Sequence, residues 1–427
     1  MPAPDFFTII QKHRPALENY ERIYRDIHAS PELSGEERET SKIAEKHLKD
    51  LGFEVHANIG GYGVAGVLEN GPGATILLRA DMDALPMKEK TGLPYASTRV
   101  AKDNDGNLRP VAHACGHDLH VVSLMASAAL LYSAREEWSG TLICVFQPAE
   151  ETLSGAQAMI DDGLFDKIPK PDLVLAQHVM RMRAGQVSVR SGRLLTAADS
   201  FEVRIIGHGG HASAPNACID AVVIGAAVVS RLQTIVSREV NPLDLAIVSC
   251  GSINAGFNAN IIPDECIIRI NVRTYNPKTR KQVINSIKRI VKAECLASGA
   301  PEEPTIVPLS STPATINDEE TATALEKVFG SYFRNNLTEM EPTTASEDFS
   351  LLAAAANVPY AMWTFGGIDE KKWDDALQSD SINELSGNHS PYFAPVLQPT
   401  LRTGVDAMSL SALHFLQRKS QASNPVR

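Results

Sequence analysis

ATILLRADMD, residues 74–83, is an apolar run that ends in two aspartates. The first seven positions carry one charge, Arg79, and read as a buried strand; the acids follow where that strand leaves its sheet. The pattern recurs in TLICVF (141–146), which ends in QPAEE, and in LVLAQHV (173–179), which ends near His178. Between the first two lies DLHVVSLMASAALLYSAREEW, whose Val121, Leu124, Ala128 and Leu131 recur at helical spacing. Strands alternating with helices predict a mostly parallel sheet in an α/β domain.

The middle of the chain reads differently. SFEVRIIG is a strand, AVVIGAAVVSRLQTIV an apolar helix, and DLAIVSCGSI and ECIIRINVRTY two further strands. PKTRKQVINSIKRIVKAECLASG is an amphipathic helix opened by Pro277, and EPTIVPLS closes as a strand. That order, βαββαβ, predicts a ferredoxin-like unit. From NDEETATALEKVFGSYF onward the chain returns to its first style. The expected layout is a catalytic α/β domain over 1–194 and 309–427, interrupted by a smaller inserted domain over 195–308. SQASNPVR at the end reads as a frayed tail.

Composition narrows the function. The chain has 427 residues, 44% hydrophobic and 21% charged, which suits a globular protein with a sizeable core. A formal net charge of −11 argues against nucleic acid or an anionic membrane surface as partner. No apolar run is expected to approach the roughly 18–20 residues of a membrane span. The start, MPAPDFFTII, lacks the basic and apolar regions of a secretory signal. The six cysteines are scattered with no C-x-x-C pair, so a reducing, cytoplasmic location is expected.

In open parallel sheets ligands bind at the carboxyl ends of the strands. Asp81 and Asp83, Glu150 and Glu151, and His178 all fall there. HACGHDLH (113–120) places Cys115 and His117 at the start of a helix, where the dipole favours a thiolate. Each has a plainer reading. Adjacent glutamates are usually a solvated pair, a histidine on an apolar strand a core residue, and Asp81 and Asp83 turn formers. His120 caps or packs, and His389 in GNHSPYF carries almost no signal alone. His13, His28, His47, His56 and His414 read as structural.

A cysteine beside a histidine is either a nucleophile with its base or one end of a metal site. The nucleophile reading leaves Glu150, Glu151 and His178 without work; a metal reading uses them all. Such ligands suit zinc, nickel, cobalt or manganese(II) better than calcium. One glutamate can bind metal while its neighbour, pointing elsewhere, handles the proton.

RADMDALPM, HACGHDLH, FQPAEE, QHV, GHGGHASAP, NIIPDE and NHSPYF occur in that order, with IHASPELSGEE upstream. Over nearly the whole chain this resembles the M20 metallopeptidase family, in the amidohydrolase branch of hippurate hydrolases, N-acyl-amino-acid amidohydrolases and auxin-conjugate hydrolases.

The resemblance implies two divalent transition-metal ions per subunit, manganese or zinc foremost, with nickel or cobalt as further candidates. Cys115 would bridge them, His117 and His178 complete one, and Glu151 and His389 the other. Glu150 would be the general base, and Asp83 would orient a ligand from behind. The inserted domain would be a lid and the homodimer contact. His211 of GHGGH would stabilise the oxyanion, and Asn260 and Arg273 would hold the substrate. His208 and Asn258 stand where the branch varies.

The implied reaction is hydrolysis of a small N-acyl amino acid or related amide by metal-activated water, not endoproteolysis. Two alternatives share the fold and the metal chemistry: a dipeptidase or aminopeptidase, and hydrolytic removal of an amino group from an aromatic substrate. A binding protein without activity would be expected to have lost Glu150 or a ligand, and none is missing.

Overall fold

The computed structural model describes residues 5–103 and 106–417; the SQASNPVR stretch and the first four residues of the opening segment lie outside them. The chain forms two compact units. One comprises Met1–Gly192, Ile316–Glu341 and Asp348–Arg427, the other Arg193–Thr315 and Pro342–Glu347.

The larger unit is built on an eight-stranded sheet. Its strands are β1 (Glu54–Ile59), β2 (Gly63–Asn70), β3 (Thr75–Asp81), β4 (Gly140–Gln147), β5 (Leu173–Arg183), β6 (Val187–Val189), β7 (Leu337–Glu339) and β8 (Tyr360–Ile368). Their spatial order is β1-β2-β4-β3-β5-β8-β6-β7. The four central strands β4, β3, β5 and β8 run parallel, as the alternating pattern predicts. The β1–β2 hairpin joins β4 antiparallel, and β6 joins β8 antiparallel. The central strands are apolar because helices cover both faces.

Parallel neighbours need a crossover, and between β3 and β4 it is α1 (His117–Ser133). Most of α1 is buried on every side, from His117 through Leu131. A helix apolar all round belongs inside, and α1 packs against the second core helix, α2 (Leu397–Phe415). Pairing of β3 with β4 ends at Asp81 and Gln147, and pairing of β3 with β5 ends at Arg79 and Ala176. Asp81, the segment after Gln147, and His178 therefore emerge at one sheet edge.

The smaller unit has the predicted βαββαβ order. Its sheet runs Ala246–Asn254, Glu265–Thr274, Ala197–Ile206, Thr305–Thr312, with antiparallel neighbours throughout. Helices Ala221–Thr234 and Pro277–Ala297 share its apolar core. A two-residue ribbon, Gly210–His211 against Ile261–Ile262, was not foreseen. One expectation is corrected here. The helical segment Ala221–Glu239 has 19 residues with a mean hydropathy of 1.3, enough by length and composition to cross a membrane. Its apolarity has a packing cause on one side, where Ala221, Ile224, Val228, Leu232 and Ile235 enter the core.

Candidate metal centre

Nine of the residues singled out in the sequence meet in the larger unit: Asp81, Asp83, Cys115, His117, His120, Glu150, Glu151, His178 and His389. The link after β4 turns sharply. Ala149 and Leu153 have positive φ values of 51° and 53°, conformations that cost a non-glycine residue energy and persist only when held. The Leu153 and Ser154 amides close the turn on the Glu150 and Ala149 carbonyls at 2.6 and 3.2 Å. Its tip presents Glu150 and Glu151. Opposite, Gly116 adopts φ 86° just before α1, letting the chain swing Cys115 and His117 inward.

Single ligand atoms of His117, Glu150 and Glu151 lie within 4.8 Å of one another, as do those of Cys115, Glu151 and His389. His178 Nε2 stands 3.5 Å from Cys115 Sγ. Its Nδ1 donates to the Val179 carbonyl at 2.7 Å, which leaves the Nε2 lone pair free toward the cluster. His389 Nε2 lies 3.2 Å from Glu151. His117 donates Nδ1–H to Asp83 at 3.1 Å, and its Nε2 faces Asp81, Glu150 and Glu151 at 3.8, 3.9 and 3.9 Å.

Two atoms test whether a cation fits. His117 Nε2 and Glu151 Oε1 are buried and have no hydrogen-bond partner. A buried nitrogen facing carboxylates calls for a positive charge between them, either a proton or a metal ion. The donor set of thiol, imidazole and carboxylate is that of a transition-metal site.

Burial pulls His117 down, but Asp81 and Cys115 outweigh it and raise it well above an ordinary histidine. Hydrogen bonds to Cys115 and Glu151 lift His389 to about 10. His178, by contrast, is held well below the usual range by burial and by neighbouring His120. At Cys115 the pull of the helix start toward a thiolate is opposed. Burial, then Glu151, push its thiol up. A thiolate there needs a cation beside it.

Behind these groups lies a hydrogen-bonded frame. Asp83 accepts from His117 and, on its other oxygen, from the Glu151 amide at 2.8 Å and the Ser34 hydroxyl at 2.6 Å. Asp81 accepts from His120 Nδ1 at 2.5 Å and from Arg79 at 2.6 Å. Fully buried Arg79 also pairs with Gln147 and Asp348. Although His120 sits among Asp81, His117 and His178, its Nε2 accepts the Val179 amide at 2.8 Å, so both ring nitrogens are already used.

Sequence reasoning missed Asn388. Its Nδ2 donates to the Cys115 and Val179 carbonyls, both at 3.0 Å, and lies 3.7 Å from Cys115 Sγ. The only signal was its place beside His389 in NHSPYF.

His211, Asn260 and Arg273 lie in the smaller unit. His211 lies in the short ribbon and Asn260 just before its second strand, where the Ala212 amide bonds the Asn260 carbonyl at 3.0 Å. Arg273 donates to Asn271 at 2.8 Å and to Ser346 at 2.6 Å. His208 and Asn258 line a cleft of about 530 Å³ there, with Phe257 almost fully exposed.

Residues 77–384 match the profile of Peptidase family M20/M25/M40. The chain belongs to this family. As an M20 enzyme it is a metal-dependent hydrolase of carbon–nitrogen bonds. It is 39% identical to the hippurate hydrolase of Campylobacter jejuni, over 80% of this chain and 87% of that one. With the N-acetyl-L-cysteine deacetylase of Bacillus subtilis the identity is 35%, over 86% of each chain. A solved dinuclear metal-binding M20 peptidase from Bacillus subtilis superposes on this M20 hydrolase with a TM-score of 0.72 at 25% identity. That match covers 93% of this chain and 98% of the other.

Proposed function

We propose that this M20 hydrolase cleaves the amide bond of N-acyl amino acids or closely related small amides. The observation that carries the reading is the Glu150–Glu151 turn. It sets two adjacent carboxylates against Cys115, His117 and His389, so one can hold metal while the other moves a proton. The similarity to a hippurate hydrolase and an N-acetyl-L-cysteine deacetylase supports the substrate class.

His117 and His178 would hold one ion, Glu151 and His389 a second, with Cys115 shared; manganese or zinc suits the donors best, nickel or cobalt next. The ions would acidify the attacking water and polarise the amide carbonyl. Glu150 takes the proton from that water and hands it to the leaving nitrogen. Asp83 keeps His117 in the tautomer whose Nε2 faces the carboxylates.

In the smaller unit, Nδ1 of His211 is engaged by the Ser213 hydroxyl at 2.7 Å and the Ser213 amide at 3.2 Å. As an N–H donor, Nε2 would suit an oxyanion. Asn260 and Arg273 would bind the substrate's carboxylate or carbonyl. The unit acts as lid and homodimer contact. Supporting the dimer, Val222, Val223, Val236, Ile247 and Ile253 are exposed on the apolar helix and on the Ala246–Asn254 edge strand. We place the enzyme in the cytoplasm, in keeping with six free cysteines.

The test is a panel of N-acetyl and N-benzoyl amino acids, dipeptides and aryl-amine substrates, each with manganese, zinc, cobalt and nickel. Release of the amino acid from the N-acyl substrates is expected to dominate. Preference for free-amine dipeptides, or ammonia from the aryl amines, would replace this reading.

A further inference from the structure

The IHASPELSGEE segment has no part in the chemistry so far, yet its turn touches the centre's supports twice. Ser34 Oγ donates to Asp83 at 2.6 Å, the carboxylate that also holds His117 and the Glu151 amide. Glu37 Oε1 accepts the Ala149 amide at 2.8 Å, immediately before Glu150. The same oxygen accepts the Gly35 amide at 2.8 Å, which tightens the turn on itself. The turn is in turn anchored on the strand-end segment: Leu33 bridges Ala84, and the Ala84 amide bonds the Glu32 carbonyl at 2.8 Å.

The position of Glu37 makes this more than incidental packing. Glu37 is the residue before the helix Arg38–Asp50, and its side chain makes no cap to that helix. Glu32 caps instead, accepting the Glu39 and Thr40 amides at 3.0 and 2.9 Å. Glu37 is thereby released to reach Ala149, 112 residues away in sequence. It is fully buried, which is costly for a carboxyl group without a structural return. Its target is a residue at φ 51°, a conformation that relaxes unless its neighbours hold it.

We infer that the Leu33–Glu37 turn is a clamp for the Glu150–Glu151 turn, and that Glu37 is the positioning residue through which it acts. The inference rests on reading this cluster as the hydrolytic metal centre. By fixing Ala149 through Glu37 and the Glu151 amide through Ser34 and Asp83, the clamp sets both carboxylates relative to His117. In this role Glu37 acts through the Ala149 amide.

The test compares Glu37→Ala, Glu37→Asp and Glu37→Gln in the full chain. Hydrogen exchange of the metal-free protein is read in the peptide spanning Ala149. Glu37→Ala and the shorter Glu37→Asp should speed exchange there; Glu37→Gln, which keeps an acceptor oxygen at the same reach, should not. In cobalt titrations the first two should bind roughly 10–100-fold more weakly. At saturating metal they should lose kcat with KM unchanged, and Glu37→Gln should restore it. If Glu37→Ala does not fold, the Asp and Gln pair decides. Wild-type exchange and affinity in Glu37→Asp, or equal losses in Asp and Gln variants, would overturn the clamp. A wild-type protein that neither binds cobalt nor hydrolyses amides would sink the functional reading instead, and the exchange data would still judge the clamp.

Discussion

The backbone amide of Val179 donates to His120 Nε2 at 2.8 Å. That bond separates the two histidines of α1. His117 keeps a buried Nε2 with no hydrogen-bond partner, whereas His120 spends its other nitrogen on Asp81. Replacing His117 with Ala should therefore deplete bound metal. Replacing His120 with Ala should leave metal stoichiometry intact and cost roughly 1–3 kcal/mol of stability through the polar groups left unpaired. Elemental analysis of both variants checks this; metal loss in the His120 variant would make it a ligand.

Asn388 ties the loop carrying His389 to the segment carrying Cys115. Asn388→Ala removes the donor shared by the Cys115 and Val179 carbonyls. Metal affinity should fall by roughly 10–100-fold, as for other groups that hold ligands in place. Cobalt titration followed by thiolate absorption measures it, and unchanged affinity would reduce Asn388 to a loop contact.

His28, read as structural, is buried between Asp118 at 2.6 Å and Glu89 at 3.1 Å. Burial lowers its basicity, but Asp118 and then Glu89 outweigh that and raise it to about 10. The folded value exceeds the unfolded one of roughly 6.5. Its contribution to stability is thus complete below about pH 6.5 and lost as pH rises toward about 10. His28→Gln should cost roughly 3–5 kcal/mol by leaving Asp118 buried and unpaired. Denaturant unfolding of both proteins across pH 6–10 should show the gap closing with pH; a constant gap would mean that His28 is neutral in the fold.

What could be read in the sequence was whatever periodicity and strand ends encode. β3 and β4 lead into reactive residues at their ends, whereas β5, expected to end near His178, runs on to Arg183 and carries His178 just past the end of its pairing with β3. The βαββαβ unit was equally plain from its element order. What could not be read depends on bonds between distant segments. Whether His120 binds metal is decided by Val179, and the value of Asn388 by Cys115, 273 residues away. Glu37 carries no signal of its own in IHASPELSGEE; its place is set by the contact with Ala149, 112 residues away. At Cys115 burial and Glu151 oppose the pull of the helix start, and neither is visible in the local sequence.

His211 is proposed to serve the partner subunit of the dimer. Mixing Glu150→Gln with His211→Ala under subunit exchange makes half the dimers mixed. Each mixed dimer then holds one intact composite site, so activity should recover to about a quarter of wild type. No recovery, with exchange confirmed separately, would place His211 in its own subunit's chemistry or outside it.

The division of labour at the Glu150–Glu151 turn is the centre of the account. Metal content and turnover of Glu150→Gln, measured on one preparation, test it most directly. The protein should keep its full metal complement and lose kcat by roughly 10²–10⁴-fold, as expected when a general base is removed. A Glu150→Gln protein that loses its metal, or that keeps wild-type turnover, would contradict it.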